Sequence, residues 1–148
     1  MHKVFGEREN AAYCDRKGAY LIAQRGGLVG VVKTPKGLFL PGGGIEAGET
    51  DEACIRRECL EETGCGAVIR GLVGSAESYM LHPTIGWFHP IQAYYMGELT
   101  EIMREPAEPD HALVWLSLDE AKGTMYFPMQ RWALEQFQAV IQNQTAEV

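Results

Sequence analysis

One segment of this chain carries most of its structural information: residues 40–65, which read LPGGGIEAGETDEACIRRECLEETGC. Three consecutive glycines near its start make the backbone easy to bend and entropically costly to order, so no strand or helix is expected through them. A helix is predicted over about residues 50–63, because Thr50 can cap its first turn and two acidic residues suit the positive end of its dipole. Gly64 is expected to end that helix.

Three carboxylates of this helix share one direction. Glu58, Glu61 and Glu62 project into one sector at about 100° per residue, and like charges so close repel one another. A cation should compensate them, and hard oxygen ligands suit Mg²⁺ or Mn²⁺, which also bind phosphate oxygens. Arg57, next to Glu58, can orient a carboxylate through charge-assisted hydrogen bonds. The alternative is a solvated helix face, on which clustered glutamates are common.

The spacing of these residues resembles the signature of the Nudix hydrolase superfamily, G-x5-E-x7-R-E-U-x-E-E-x-G-U, where U is apolar. All nine specified positions are filled, two of the apolar ones by cysteine: Gly43, Glu49, Arg57, Glu58, Cys59, Glu61, Glu62, Gly64 and Cys65. The resemblance implies an α/β fold, a Nudix-type α/β/α sandwich with a mixed β-sheet. It also implies Mg²⁺-dependent hydrolysis, with Mn²⁺ as a possible substitute, of a nucleoside diphosphate linked to another moiety.

The resemblance also assigns roles within this signature. Glu58, Glu61 and Glu62 are expected to hold the metal, and Gly43 is expected to support the metal site through the geometry of its loop. Glu61 is in addition a candidate general base. Arg57 is expected to orient the glutamates and is a candidate catalytic residue for that reason.

Some Nudix relatives use a further glutamate, in a loop before a late strand, as base or additional ligand. Glu108 is the best-placed candidate here, with Glu105 second, although loop glutamates are usually only solvated. His111 is a weaker candidate, since a lone histidine at a strand entrance is more often a packing residue. Glu49, at the helix entrance, is expected to fix the preceding loop.

Outside the signature, apolar runs broken by Gly26-Gly27 predict a hairpin over residues 18–33. Pro128 suits the first turn of a closing helix, predicted over about residues 128–142. Glu-Pro-rich sequence between the later strands predicts an exposed loop over residues 100–111. Further strands are expected at residues 67–73, 91–99 and 113–116.

Length and composition fit a single domain over residues 1–148, with 46% apolar and 22% charged residues. A net charge of −7 argues against a stable nucleic-acid complex. No apolar run is long enough to span a membrane, and the charged first ten residues do not resemble a secretory signal, so a cytoplasmic protein is expected. The cysteines show no ligand or redox spacing and are expected to be reduced core residues: Cys14, Cys54, Cys59 and Cys65.

The signature recognises a diphosphate, whereas other loops choose the rest of the substrate. A small nucleotide is expected, with nucleoside triphosphates first and dinucleoside polyphosphates and nucleotide sugars as alternatives. Tyr79, Trp87 and Phe127 are candidates to stack on a base, although aromatic residues at strand ends are usually core. A non-catalytic nucleotide-binding module is a further alternative, and both a monomer and a homodimer are compatible with the sequence.

Overall fold

The computed structural model describes residues 1–146, which form nine strands and three helices. The strands are β1 (His2–Phe5), β2 (Cys14–Arg25), β3 (Leu28–Thr34), β4 (Gly37–Phe39), β5 (Gly42–Gly44), β6 (Cys65–Ser78), β7 (Met80–His82), β8 (Gly86–Ile102) and β9 (Ala112–Ser117). The helices are α1 (Asp51–Thr63), α2 (Leu118–Thr124) and α3 (Pro128–Ala146). No helix in this part of the chain combines the length and the apolar character needed to cross a membrane.

The strands form one mixed sheet in the order β1-β6-β8-β2-β3-β4. The central pair, β2 and β8, is parallel, and β1 is parallel to β6. The pairs β6–β8, β2–β3 and β3–β9 are antiparallel. The predicted hairpin is the β2–β3 pair, which turns at Gly26-Gly27. Because β2 and β8 are far apart in sequence, their register is set by long-range packing.

Side chains of β2 alternate between two layers of helix, as the two-residue period of a strand requires. Ala19 and Leu21 pack with Ile55 of α1 in one apolar cluster. Ile22 points to the opposite face and packs with residues of α3, such as Leu134. The predicted α/β/α sandwich is therefore confirmed.

The first helix begins and ends where the sequence predicts. The Thr50 hydroxyl accepts a hydrogen bond from the backbone N–H of Ala53, and Gly64 adopts a left-handed conformation in which its N–H donates to Leu60. The Tyr95 hydroxyl donates to the Asp51 carboxylate at 2.7 Å and ties the start of α1 to β8. These contacts fix the helix both along its axis and against the sheet.

Three expectations need correction. Residues 42–44 do form a short strand, β5, because glycines without side chains can lie alongside β2 and pair with Gly18 and Tyr20. The closing helix runs to Ala146 instead of about 142, through polar residues that carry no apolar spacing. Cys14 is exposed, since the first four residues of β2 lie at an open end of the sheet, whereas the other three cysteines are buried.

Several elements carry no clear sequence signal. The sequence analysis missed β1, β7 and α2, all of which are seven residues or shorter. Short segments contain too few residues to display a helical or strand period. The predicted loop is also shorter than expected, because β8 continues to Ile102.

The end of α1 provides a stability test. A Cβ at Gly64 would overlap the carbonyl of Arg104, in addition to the strain of a φ of +76°. Gly26 also has a positive φ, of +55°, but a Cβ there meets no atom within 4 Å. We expect Gly26→Ala to cost about 1–2 kcal/mol of unfolding free energy and Gly64→Ala at least about 1 kcal/mol more, measured by urea denaturation. Equal losses would show that the loop after β8 is not packed against this turn.

Candidate metal centre and active-site cleft

Arg57 is the organising residue of the carboxylate cluster. Its guanidinium donates two hydrogen bonds to Glu49, from Nε at 2.7 Å and from Nη2 at 2.9 Å. Nη1 donates to Glu58 Oε1 at 2.8 Å, and Nη2 also donates to the carbonyl of Gly44 at 3.0 Å. One side chain thus joins the glycine loop, the helix entrance and a candidate metal ligand.

These bonds set the charge state of Glu49. The hydrogen bonds from Arg57 lower the pKa of Glu49 to about 2, with help from the backbone N–H of Glu46. The same bonds raise the pKa of Arg57. Glu49 therefore remains ionised and anchors the arginine through two hydrogen bonds.

Glu58 lies directly against the glycine loop. A Cβ at Gly43 would stand 2.6 Å from the carboxyl carbon of Glu58, so only glycine leaves the carboxylate in this place. Burial raises the pKa of Glu58, although its hydrogen bond from Arg57 opposes that rise. Gly43 therefore leaves the space that the Glu58 carboxylate occupies, and its role in supporting a metal site stays a prediction.

Glu62 is the most enclosed of the three helix carboxylates, with 7% of its surface exposed. Its Oε1 accepts a hydrogen bond from the N–H of Gly42 at 2.9 Å. Burial raises the pKa of Glu62 to about 8, with added repulsion from Glu58 and Glu108. Hard oxygen donors crowded in this way fit a divalent cation, whose charge would offset both desolvation and repulsion.

Glu61 occupies a more open position. Its side chain is 34% exposed, and Oε2 lies 3.6 Å from Nη1 of Arg57. It is not among the residues that line the cleft containing Glu58 and Glu62. The three predicted ligands therefore divide into two that face the cleft and one at its edge.

The loop between β8 and β9 brings further polar groups to the cleft. Its backbone is tied to the end of α1, because Ala107 N–H donates to the carbonyl of Glu61 at 2.8 Å. Glu108, the first candidate for base or additional ligand, lines the cleft together with Asp110 and His111. Glu105, the second candidate, is exposed and does not line it.

The three polar residues of this loop form a compact group. His111 Nε2 lies 3.6 Å from Glu108 Oε2 and 3.8 Å from Asp110 Oδ1. The other ring nitrogen, Nδ1, is buried, has no hydrogen-bond partner and lies 3.6 Å from Glu62 Oε2. Two carboxylates and an imidazole are common metal ligands, so these three residues together could hold a metal ion. Asp110 was missed by sequence analysis, since Glu-Pro-Asp indicates only a loop.

The cleft, of about 520 Å³, joins a second cavity of about 320 Å³. Arg16 and Lys36 line both cavities, and neither forms an ion pair within residues 1–146. Two uncompensated cations beside an acidic cluster suit the phosphate groups of a ligand. Sequence reasoning missed both residues, because they belong to no motif and lie on separate strands and turns.

Only one of the three aromatic candidates lies in this region. Phe127 lines the second cavity beside Phe39, with ring centroids 5.6 Å apart. Tyr79 instead stacks on His89, with centroids 4.3 Å apart, and Trp87 packs against Tyr13. The latter two rings belong to a separate aromatic cluster that does not line either cavity.

Comparison with known proteins supports this description. A sequence-family model for the NUDIX domain matches residues 10–139. A MutT NUDIX hydrolase from Burkholderia pseudomallei is 27% identical, with a TM-score of 0.64 over 83% of this chain and 98% of that chain. No curated protein sequence shows a significant match.

Two further structures share the fold at lower identity. A NUDIX hydrolase from Nitrosomonas europaea has a TM-score of 0.72 and 20% identity, covering 85% of this chain and 90% of that chain. A MutT protein from Methanosarcina mazei Go1 has a TM-score of 0.71 and 18% identity, covering 88% and 97%. Since the family match spans most of the sequence and includes the complete carboxylate signature, this chain belongs to the Nudix family of hydrolases, which act on pyrophosphate bonds.

Proposed function

We propose that this chain hydrolyses the diphosphate linkage of a small nucleotide, with a nucleoside triphosphate as the leading substrate and Mg²⁺ as the metal. The observation that carries the proposal is the meeting of Glu58 and Glu62 at the glycine loop of an open cleft. Glu61 contributes from the edge of that cleft, and Gly43 keeps the space that the Glu58 carboxylate needs. Residues 1–148 act as one domain in this proposal.

A bound divalent cation would neutralise charge on the phosphate oxygens and lower the pKa of the attacking water. The residues of this chain provide the framework for it. Arg57 holds the Glu58 carboxylate in place through a 2.8 Å hydrogen bond, and Gly42 holds Glu62 in the same way through its backbone N–H. Such fixed carboxylates need no rearrangement as charge develops.

Arg16 and Lys36 bind the phosphate chain in this proposal. The net charge of −7 would otherwise disfavour a polyanionic substrate, so unpaired cations at the mouth of the cleft matter for its capture. The second cavity, with Phe39 and Phe127 in its wall, then receives the nucleobase of the substrate. A cleft that opens into one aromatic pocket has room for one nucleoside, which supports a nucleoside triphosphate over dinucleoside polyphosphates and nucleotide sugars.

Glu108 is the proposed general base, accepting a proton from the attacking water. It lies in the cleft with Glu58 and Glu62, on a loop anchored to the carbonyl of Glu61. Its side chain is 42% exposed, which leaves room for a water molecule and substrate. His111 Nε2 lies 3.6 Å from its carboxylate, and Asp110 and His111 are close enough to share a cation with it.

The test of this function is hydrolysis of a nucleotide panel with Mg²⁺, monitored by release of phosphate and diphosphate. We expect Glu61→Gln and Glu62→Gln each to lower kcat at least about tenfold, which corresponds to about 1.4 kcal/mol of transition-state stabilisation. Thermal stability should be retained, because an amide oxygen at position 62 can still accept the hydrogen bond from Gly42 and neither substitution adds repulsion to the carboxylate cluster. Glu52→Gln, on an exposed part of the same helix, is the matched control and should keep wild-type activity. An inactive wild-type protein, or two fully active variants, would refute the proposal.

Metal binding provides a second test. Folding assembles the carboxylates of α1 beside the glycine loop, so a bound ion should stabilise the folded state more than the unfolded chain. We expect the thermal unfolding midpoint to rise in millimolar Mg²⁺ or Mn²⁺, and Glu62→Gln to reduce that rise. A midpoint unchanged by either ion, with and without a non-hydrolysable nucleotide, would argue against a metal centre here.

The role of Glu108 can be separated from that of a ligand. If it acts as base, Glu108→Gln should lower kcat at least about tenfold while Mg²⁺ affinity stays within about threefold of wild type, because a base need not hold the ion. Glu105→Gln, in the same loop but outside the cleft, is the matched control. Loss of Mg²⁺ affinity would make Glu108 a ligand instead, and wild-type kcat would remove it from the mechanism.

A further inference from the structure

A chain of buried hydrogen bonds leads from the glycine loop to the floor of the second cavity. The backbone N–H of Leu40 donates to Gln130 Oε1 at 2.8 Å. Gln130 Nε2 in turn donates to Gln92 Oε1 at 3.2 Å, and the Tyr94 hydroxyl donates to the same oxygen at 2.8 Å. The two glutamines are 0% and 4% exposed, so these bonds form out of contact with bulk water.

The orientation of both amides follows from the first bond. A backbone N–H can only donate, so the Gln130 atom that faces Leu40 must be the oxygen. Its NH₂ group must then face Gln92, and an NH₂ group can only donate, so the facing atom of Gln92 must also be the oxygen. The NH₂ group of Gln92 is therefore the part of the amide that remains available to other partners.

That NH₂ group is directed at the second cavity. Gln92 lines the cavity, and within residues 1–146 its Nε2 donates to no residue. The parallel register places Gln92 beside Gly18, which has no side chain to cover it. A donor that opens to the cavity with a fixed direction and no protein partner favours a ligand that offers an acceptor.

The walls of the cavity suit a flat ring. Phe39, Tyr126 and Phe127 form a cluster with ring centroids 5.0–5.6 Å apart on one side. Phe88 and Ile85 line the cavity as well, and Arg16 stands where the cavity joins the cleft. A planar heterocycle between apolar walls, with its phosphates toward the cleft, matches this arrangement.

We propose that Gln92 is a specificity-determining residue that donates a hydrogen bond to a keto oxygen of the base, so that 6-oxopurine and 4-oxopyrimidine nucleotides are preferred over their amino counterparts. The inference rests on the proposed function, in which this cavity receives the base. An exocyclic amino group at the same place would set donor against donor and leave both desolvated groups unpaired. The chain that orients Gln92 makes Gln130 a positioning residue, because it touches Gln92 and does not line the cavity.

The experiment compares nucleoside monophosphates that differ at this one group, with EDTA present so that no hydrolysis occurs. Titration calorimetry with IMP against AMP and with UMP against CMP should show at least about tenfold tighter binding of the keto member of each pair. Equal affinities within both pairs, or no binding of any of the four at millimolar concentration, would overturn the inference. Because binding is read without turnover, a failure here is distinguishable from a failure of the hydrolase proposal.

Three variants test the mechanism of the preference. Gln92→Met removes the donor, so IMP affinity should fall at least about tenfold while AMP affinity changes less than about threefold. Gln130→Met leaves the cavity lining intact but frees the Gln92 amide to rotate, so the preference for IMP should fall below about threefold. Tyr94→Phe is the matched control, since the bond from Gln130 still orients Gln92 and the preference should persist. If folded Gln130→Met protein, checked by circular dichroism, keeps the full wild-type preference, the proposed orienting chain is wrong.

Discussion

The guanidinium group of Arg57 lies between Glu49, Glu58 and the carbonyl of Gly44, and the geometry of the carboxylate cluster depends on these contacts. A planar guanidinium group donates hydrogen bonds to several acceptors in fixed directions, which a lysine ammonium group could not do. Glu49 remains ionised beneath it and so serves as a permanent anchor. The loop before α1 is thus attached to the helix by charge, while its backbone is attached to β2 by strand pairing.

Two glutamates of the same cluster have pKa values shifted in opposite directions. Arg57 lowers the pKa of Glu49 to about 2, whereas burial and neighbouring carboxylates raise the pKa of Glu62 to about 8. Groups with strongly displaced pKa values in a cleft are typical of functional sites. A divalent cation bound at Glu62 would favour the ionised carboxylate and so lower its pKa, because it would supply positive charge beside this buried group.

In the proposed function, one face of the sheet carries the catalytic residues and the other carries the residues that recognise the substrate. Helix α1 covers one face and carries Glu58 and Glu62, which line the cleft beside β5. On the other face, β8 directs Gln92 and Tyr94 toward α3, and the cavity lies on that side. Arg16, on β2, lines both regions and so marks where a phosphate chain would connect them. Substitutions in the cavity would therefore alter which nucleobase is preferred without moving the carboxylates.

The amino-acid sequence alone is enough to predict the local features: the hairpin at Gly26-Gly27, the cap at Thr50 and the end of α1 at Gly64. It also determined the carboxylate signature, because one helix fixes the relative directions of residues one to four positions apart. The folded structure is needed to show that Arg16, Gln92 and His111 line the cleft and the adjoining cavity. These residues come from distant segments, and their proximity depends on the parallel β2–β8 register and on the loop anchored to α1. No local period or propensity encodes such long-range pairing, since it is selected by the packing of the whole sheet between its helices.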